Sequence, residues 1–146
     1  MTHVEGERLM DAPAERVYEA LLDHETVASA IPVLRSTREL DEDRWEAKVK
    51  APVPFAPSVT VRFTIVERRP PEHASVRSDG AGAHITSSFD LEPEGHVTRV
   101  RWQADLELGG LLSAFAGPRL EPLARRAAER VLDRVAAAAA AAAAPS

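Results

Sequence analysis

Between Leu120 and Val135 the chain alternates in pairs between apolar and charged residues at helical spacing, and no other segment constrains the fold as tightly. Leu120, Leu123, Ala124, Ala127, Ala128, Val131, Leu132 and Val135 fall on one stripe, with Glu121, Arg125, Arg126, Glu129, Arg130, Asp133 and Arg134 opposite. This spacing predicts one long amphipathic helix. Nearly everything between residues 34 and 108 alternates with period two instead, so the helix is expected to lie across a curved antiparallel sheet and close it. Each partner then covers the apolar face of the other.

The elements leading to that helix can be read in order. Residues 5–10 form a first strand, and Asp11-Ala12-Pro13-Ala14-Glu15 is a helix start with proline in the first turn. Val17, Tyr18, Leu21 and Leu22 supply its buried face. A second short helix, 25–30, is stopped by Pro32. Strands follow at 34–40 and 45–50, the latter with Trp45, Ala47 and Val49 pointing inward. The prolines at 52, 54 and 57 interrupt the sheet and are expected at a cavity mouth. In the strand 58–68, Val59, Val61, Phe63 and Ile65 share a face. Strands 73–78 and 83–91 are expected to pair across the turn Asp79-Gly80-Ala81-Gly82. The last strand, 97–108, places Val100, Trp102, Ala104, Leu106 and Leu108 inward. Residues 1–135 are thus expected to form a single domain, with 136–146 as an alanine-rich tail that prolongs the helix with no stripe to bury, or frays.

Composition excludes several function classes. The chain has 146 residues, enough for one core, and no cysteine, which removes disulfides, thiolate ligands and a cysteine nucleophile. A net charge of -5 argues against general nucleic-acid binding. Residues 1–7 lack the pattern of a signal peptide, and no stretch approaches the roughly 20 apolar residues of a membrane span, so a soluble cytoplasmic protein is expected. The histidines at 3, 24, 73, 84 and 96 form no i, i+4 pair, so no metal site is expected. There is no Gly-x-Ser-x-Gly elbow, and no serine has a histidine and an acid at a recognisable spacing. No catalytic residue and no cofactor are assigned on these grounds.

The order strand, two short helices, six strands and one long helix is the helix-grip pattern of an α+β protein. In this order the chain resembles the CoxG-like family, associated with carbon monoxide dehydrogenase, of the START/Bet v 1-like (SRPBCC) superfamily. The resemblance spans residues 5 to about 135. It is carried by the run from Ala12 to Asp23 with Ala30-Ile31-Pro32, by Asp79-Gly80-Ala81-Gly82-Ala83, and by Thr98 to Asp105 leading into Gly109-Gly110-Leu111-Leu112. It implies a seven-stranded sheet wrapped on the final helix around a cavity for a hydrophobic small molecule. It also implies a possible partner, a molybdenum-containing oxidoreductase, whose metal chemistry would not reside in this chain.

The residues themselves support a cavity. Trp45, Val61, Phe63, Ile85, Phe89, Trp102, Ala104 and Leu106 from the strands are expected to line it. Leu123, Ala127 and Val131 from the helix join them, with Phe115 near the opening. Ser87 is the polar member of the inward face, able to meet a ligand carbonyl or hydroxyl. Each of these residues could instead pack into a solid core, but many inward alanines beside few aromatics, only 5 % of the chain, suit a hollow. Three functions follow. The first is non-enzymatic binding of an apolar ligand such as a quinone or lipid-like molecule. A polyketide cyclase or dehydratase on the same fold would need an acid or base inside the pocket, where the inward face offers Ser87, with Tyr18 and His84 reached only by a one-residue shift of register. An assembly factor would dock on a larger enzyme through the arginine-bearing helix face.

Overall fold

The computed structural model describes residues 2–31, 34–50, 58–80, 82–109 and 120–143. Strand β1 (Thr2–Met10) is followed by helices α1 (Ala14–Leu21) and α2 (His24–Ser29). Six strands come next: β2 (Leu34–Asp41), β3 (Arg44–Lys50), β4 (Ser58–Arg69), β5 (His73–Gly80), β6 (Ala83–Glu94) and β7 (Val97–Leu108). Helix α3 (Leu120–Ala143) ends the described chain. The strands form a seven-stranded antiparallel sheet in the order β1-β7-β6-β5-β4-β3-β2, the helix-grip architecture.

Local chemistry sets the helix starts. Pro13, extended at φ -68°, precedes the first turn of α1, where a missing N–H costs nothing. Asp23 caps α2: its carboxylate accepts from the Thr26 N–H at 3.3 Å and from the Thr26 hydroxyl at 2.6 Å. The fully buried Thr98 donates its hydroxyl to the Ala12 carbonyl at 2.7 Å and so fastens the start of α1 to β7.

The core is concentrated toward the β1–β7 end of the sheet. Val4, Met10, Val17, Val100, Leu132 and Val135 are all buried there in one cluster, and α3 packs most closely on α1, β1 and α2. Arg8 pairs with Asp133 of α3, and Arg125 donates to the Glu5 carbonyl at 2.8 Å, so the helix also covers β1, an edge strand. Over β3, β4 and β5 the inward side chains Val49, Val61, Phe63 and Val76 are only partly buried. Among the described residues, the helix therefore stands off that half of the sheet.

Three details depart from the sequence reading. The alanine run continues α3 to Ala143 and does have a face to bury: Ala139 is 0 % exposed and Ala136 and Ala138 pack against the core. The glycines at 80 and 82 do different jobs. Gly80 ends β5 rather than opening the turn, and a Cβ there would lie 2.7 Å from the Thr60 carbonyl oxygen of β4. Gly82 takes φ 80° and makes the turn. Leu123 is 52 % exposed, because the buried stripe of α3 runs through Ala124, Ala128, Leu132, Val135 and Ala139. At 100° per residue, Leu123 lies more than a quarter turn from its centre.

The outer end of β1 carries a pH-dependent contact. His3 meets Asp105 at 2.7 Å and Glu5 at 3.2 Å, and hydrogen bonding to Asp105 first, then Glu5, raises its pKa above the ordinary 6.5. Folding therefore favours the imidazolium. The stabilisation is fully present below pH 6.5 and is lost as the pH rises through the raised folded-state value. Urea unfolding of the wild type and His3→Gln should show their largest difference in acid and converge on the alkaline side, and added salt should shrink the gap.

Candidate functional site

The strand register builds the inner wall in rows. Trp45, Phe63, Ser78, Ile85 and Leu106 lie side by side across β3 to β7. Ile65, Val76, Ser87, Ala104 and Val4 form the next row across β4 to β1. Phe89 and Trp102 sit beyond them, with Gly6 opposite Trp102 on β1. Period-two alternation turns every one of these residues to the same concave face.

Between this wall and α3 lies a cavity of about 340 Å³. Helix α3 contributes Ala124, Ala127, Ala128, Val131 and Leu132, and the α1–α2 segment contributes Leu21, Leu22, His24, Val27 and Ile31. Of the residues expected from sequence, Trp45, Val61, Phe63, Ile85, Ser87, Phe89, Trp102, Ala104, Leu106, Ala127 and Val131 line it. Leu123 does not; Ala124 and Ala128 take that part of the wall. Phe115 lies outside the described residues.

Three polar members were not foreseen: Gln103, which is exposed on β7, Ser78 and His24. Ser78 ends the inward row Ala74, Val76 and Ser78 of β5, and being polar itself it breaks the apolar alternation that marks that face in sequence. His24 is the first residue of α2, whose start the Asp23-x-x-Thr26 cap marks in the sequence. Its Nδ1 lies 3.3 Å from the Thr37 hydroxyl of β2, and its ring centroid is 5.7 Å from that of Trp45. Trp45 in turn stacks on Phe63 at 3.9 Å and 4°, a pair set by their direct opposition in the register.

Gly6 owes its identity to this wall. A Cβ at Gly6 would come within 2.7 Å of the Trp102 indole, so the ring lies flat over the bare backbone of β1. Gly6→Ala should push the indole toward the cavity, shift the tryptophan emission and destabilise the fold by about 1–3 kcal/mol.

Of the groups named for an enzymatic role, Ser87 is at the cavity wall and the other two lie elsewhere. Tyr18 donates its hydroxyl to the His73 carbonyl at 3.1 Å, and burial raises its pKa. His84 stands exposed on the convex face at 2.6 Å from Asp79, and that hydrogen bond is the main cause holding the Asp79 carboxyl below its usual range. The sheet does bring a serine, a histidine and an acid together, which their spacing had hidden. His73 and Asp90 are register partners 2.7 Å apart, and His73 Nε2 is 3.2 Å from the Ser75 hydroxyl. That hydroxyl is shared with Ser88 at 3.0 Å, Ser75 is 7 % exposed, and the cluster lies on the convex face away from the cavity. It fastens β5 to β6. Among the described residues no group of histidine and carboxylate side chains is arranged to hold a metal.

A bent antiparallel sheet closed by one long helix over an apolar hollow defines the molecule as a helix-grip protein. The chain belongs to the polyketide cyclase / dehydrase and lipid transport family, whose model matches residues 1–142. No curated protein matches its sequence. Among solved structures it is similar to a conserved protein from Geobacillus kaustophilus, with 18% identity, TM-score 0.83 and 95% of both chains covered. A START superfamily protein from Mycobacterium smegmatis matches with 15% identity and TM-score 0.73 over 94% of this chain and 96% of that one. The Zhui aromatase/cyclase from a Streptomyces species matches with 18% identity and TM-score 0.67 over 94% and 93%. At these identities the likeness is one of fold. No described helix is long and apolar enough to cross a membrane.

Proposed function

We propose that this protein binds a hydrophobic small molecule in the cavity between the sheet and α3 and acts without catalysing a reaction on it. The observation that carries this reading is the cavity itself: about 340 Å³ walled almost wholly by aliphatic and aromatic side chains. Membership of a family that includes lipid transport supports it. Neither Tyr18 nor His84 stands at the cavity wall, and among the described lining residues His24 and Ser87 have no carboxylate beside them to complete an acid–base pair. In its finer form the reading takes the ligand as a quinone or another lipid-like molecule held for a partner oxidoreductase. The CoxG-like sequence resemblance is the support for that part.

Native mass spectrometry of the protein from its own cells, followed by organic extraction, tests the proposal. An apolar molecule at near-equal stoichiometry is the expected result, and aromatic-polyketide turnover by the purified protein would overturn the non-enzymatic part. The partner is addressed separately. Arg126 and Arg130 are exposed on α3, so reversing both charges should weaken capture of a docking enzyme if that face is used.

A further inference from the structure

Resting on the ligand-binding reading above, we infer that His24 is the group that selects the ligand, and that it selects a flat, uncharged ring compound carrying an oxygen function. Three observations converge. The Asp23 cap fixes the first turn of α2, so His24 is held at the cavity wall by the helix start rather than by a loop. Its Nδ1 is turned to the Thr37 hydroxyl at 3.3 Å, which leaves Nε2 without a protein partner among the described residues. A threonine hydroxyl donates or accepts, so Nε2 can either donate to a ligand carbonyl or accept from a ligand hydroxyl. Beside it, the parallel Trp45 and Phe63 rings, 3.9 Å apart, form part of a wall suited to a planar ring.

The charge of the ligand follows from the lining. Among the described residues that form it there is no aspartate, glutamate, lysine or arginine; His24, Ser78, Ser87 and Gln103 are its polar members. An anion would enter an apolar hollow without a fixed counter-charge, which is costly, whereas a phenol or ketone needs a single hydrogen bond. Ser78 lies in the same row as Trp45 and Phe63, so a second oxygen further along the ring system would meet a hydroxyl.

Fluorescence titration with β-naphthol, methylnaphthalene and naphthoate tests this, because the three share a ring system and differ in one substituent. The wild type should bind β-naphthol several-fold, up to about tenfold, more tightly than either analogue, as one hydrogen bond predicts. In His24→Phe that preference should vanish through loss of β-naphthol affinity, with methylnaphthalene binding retained. Thr37→Val, which keeps the imidazole and removes its orienting hydroxyl, should reduce the preference and serves if His24→Phe does not fold. A preference that survives in the folded variants, or tighter binding of naphthoate by the wild type, would overturn the inference. If the wild type binds none of the three, the ligand-binding reading itself has failed.

Discussion

Replacing Ala127 by Trp should lower the affinity for an apolar ring compound by about a hundredfold or more while the protein remains folded. Ala127 lines the cavity from α3 and is only partly buried, so a larger side chain there can enter the hollow without displacing the core. Overpacking a filled interior costs about 1–3 kcal/mol. Filling an existing void costs less, because the added ring gains contacts that the void lacked. The prediction therefore separates binding from stability: titration with β-naphthol should show the loss, and thermal unfolding should move little. If affinity were unchanged in a folded Ala127→Trp protein, the ligand would not occupy this cavity.

A second large effect is expected at a position that looks inert in sequence. Ala139→Asp should destabilise the fold by about 3–5 kcal/mol, enough to unfold much of a marginally stable domain. Ala139 is 0 % exposed within the main core cluster, so a carboxylate there would be desolvated without a partner. The neighbouring Ala140 is exposed, and Ala140→Asp should cost less than about 1 kcal/mol, mostly through the helix dipole. Denaturant unfolding of the two variants compares a buried and an exposed alanine one residue apart. Equal, small losses would mean that the alanine run is a tail after all.

These two sites also show what sequence can and cannot report. Period-two alternation placed Trp45, Phe63, Ile85, Ser87, Trp102, Ala104 and Leu106 on the concave face, because residue parity alone decides which side of a strand a side chain takes. Helical position is less forgiving. Leu123 and Ala124 both fit a broad apolar stripe in sequence, and only the packing of α3 on α1 and β1 settles that Ala124 turns inward. The alanine run has no polar residue to mark its outer face, so its buried side had no signature. His24 became part of the site through the way α2 crosses the open half of the sheet, a tertiary event with no periodicity. The grouping of His73, Ser75 and Asp90 required the β5–β6 register, since Asp90 is distant along the chain. Gly80 resembled a turn residue until the approach of β4 supplied another reason for it.

The uneven seating of α3 has a kinetic corollary. All three of its fully buried residues, Leu132, Val135 and Ala139, lie in its second half, where it meets α1, whereas its opening turns flank the hollow. Helices ordinarily fray at both ends. Here amide hydrogen exchange should be one-sided, fastest around residues 121–126 and slowest around 132–139, so that the polyalanine end serves as the hinge pin. A ligand would then reach the interior by transient unzipping of the turns nearest the hollow while the rest of the domain stays folded, and its bound lifetime would report the frequency of that local opening.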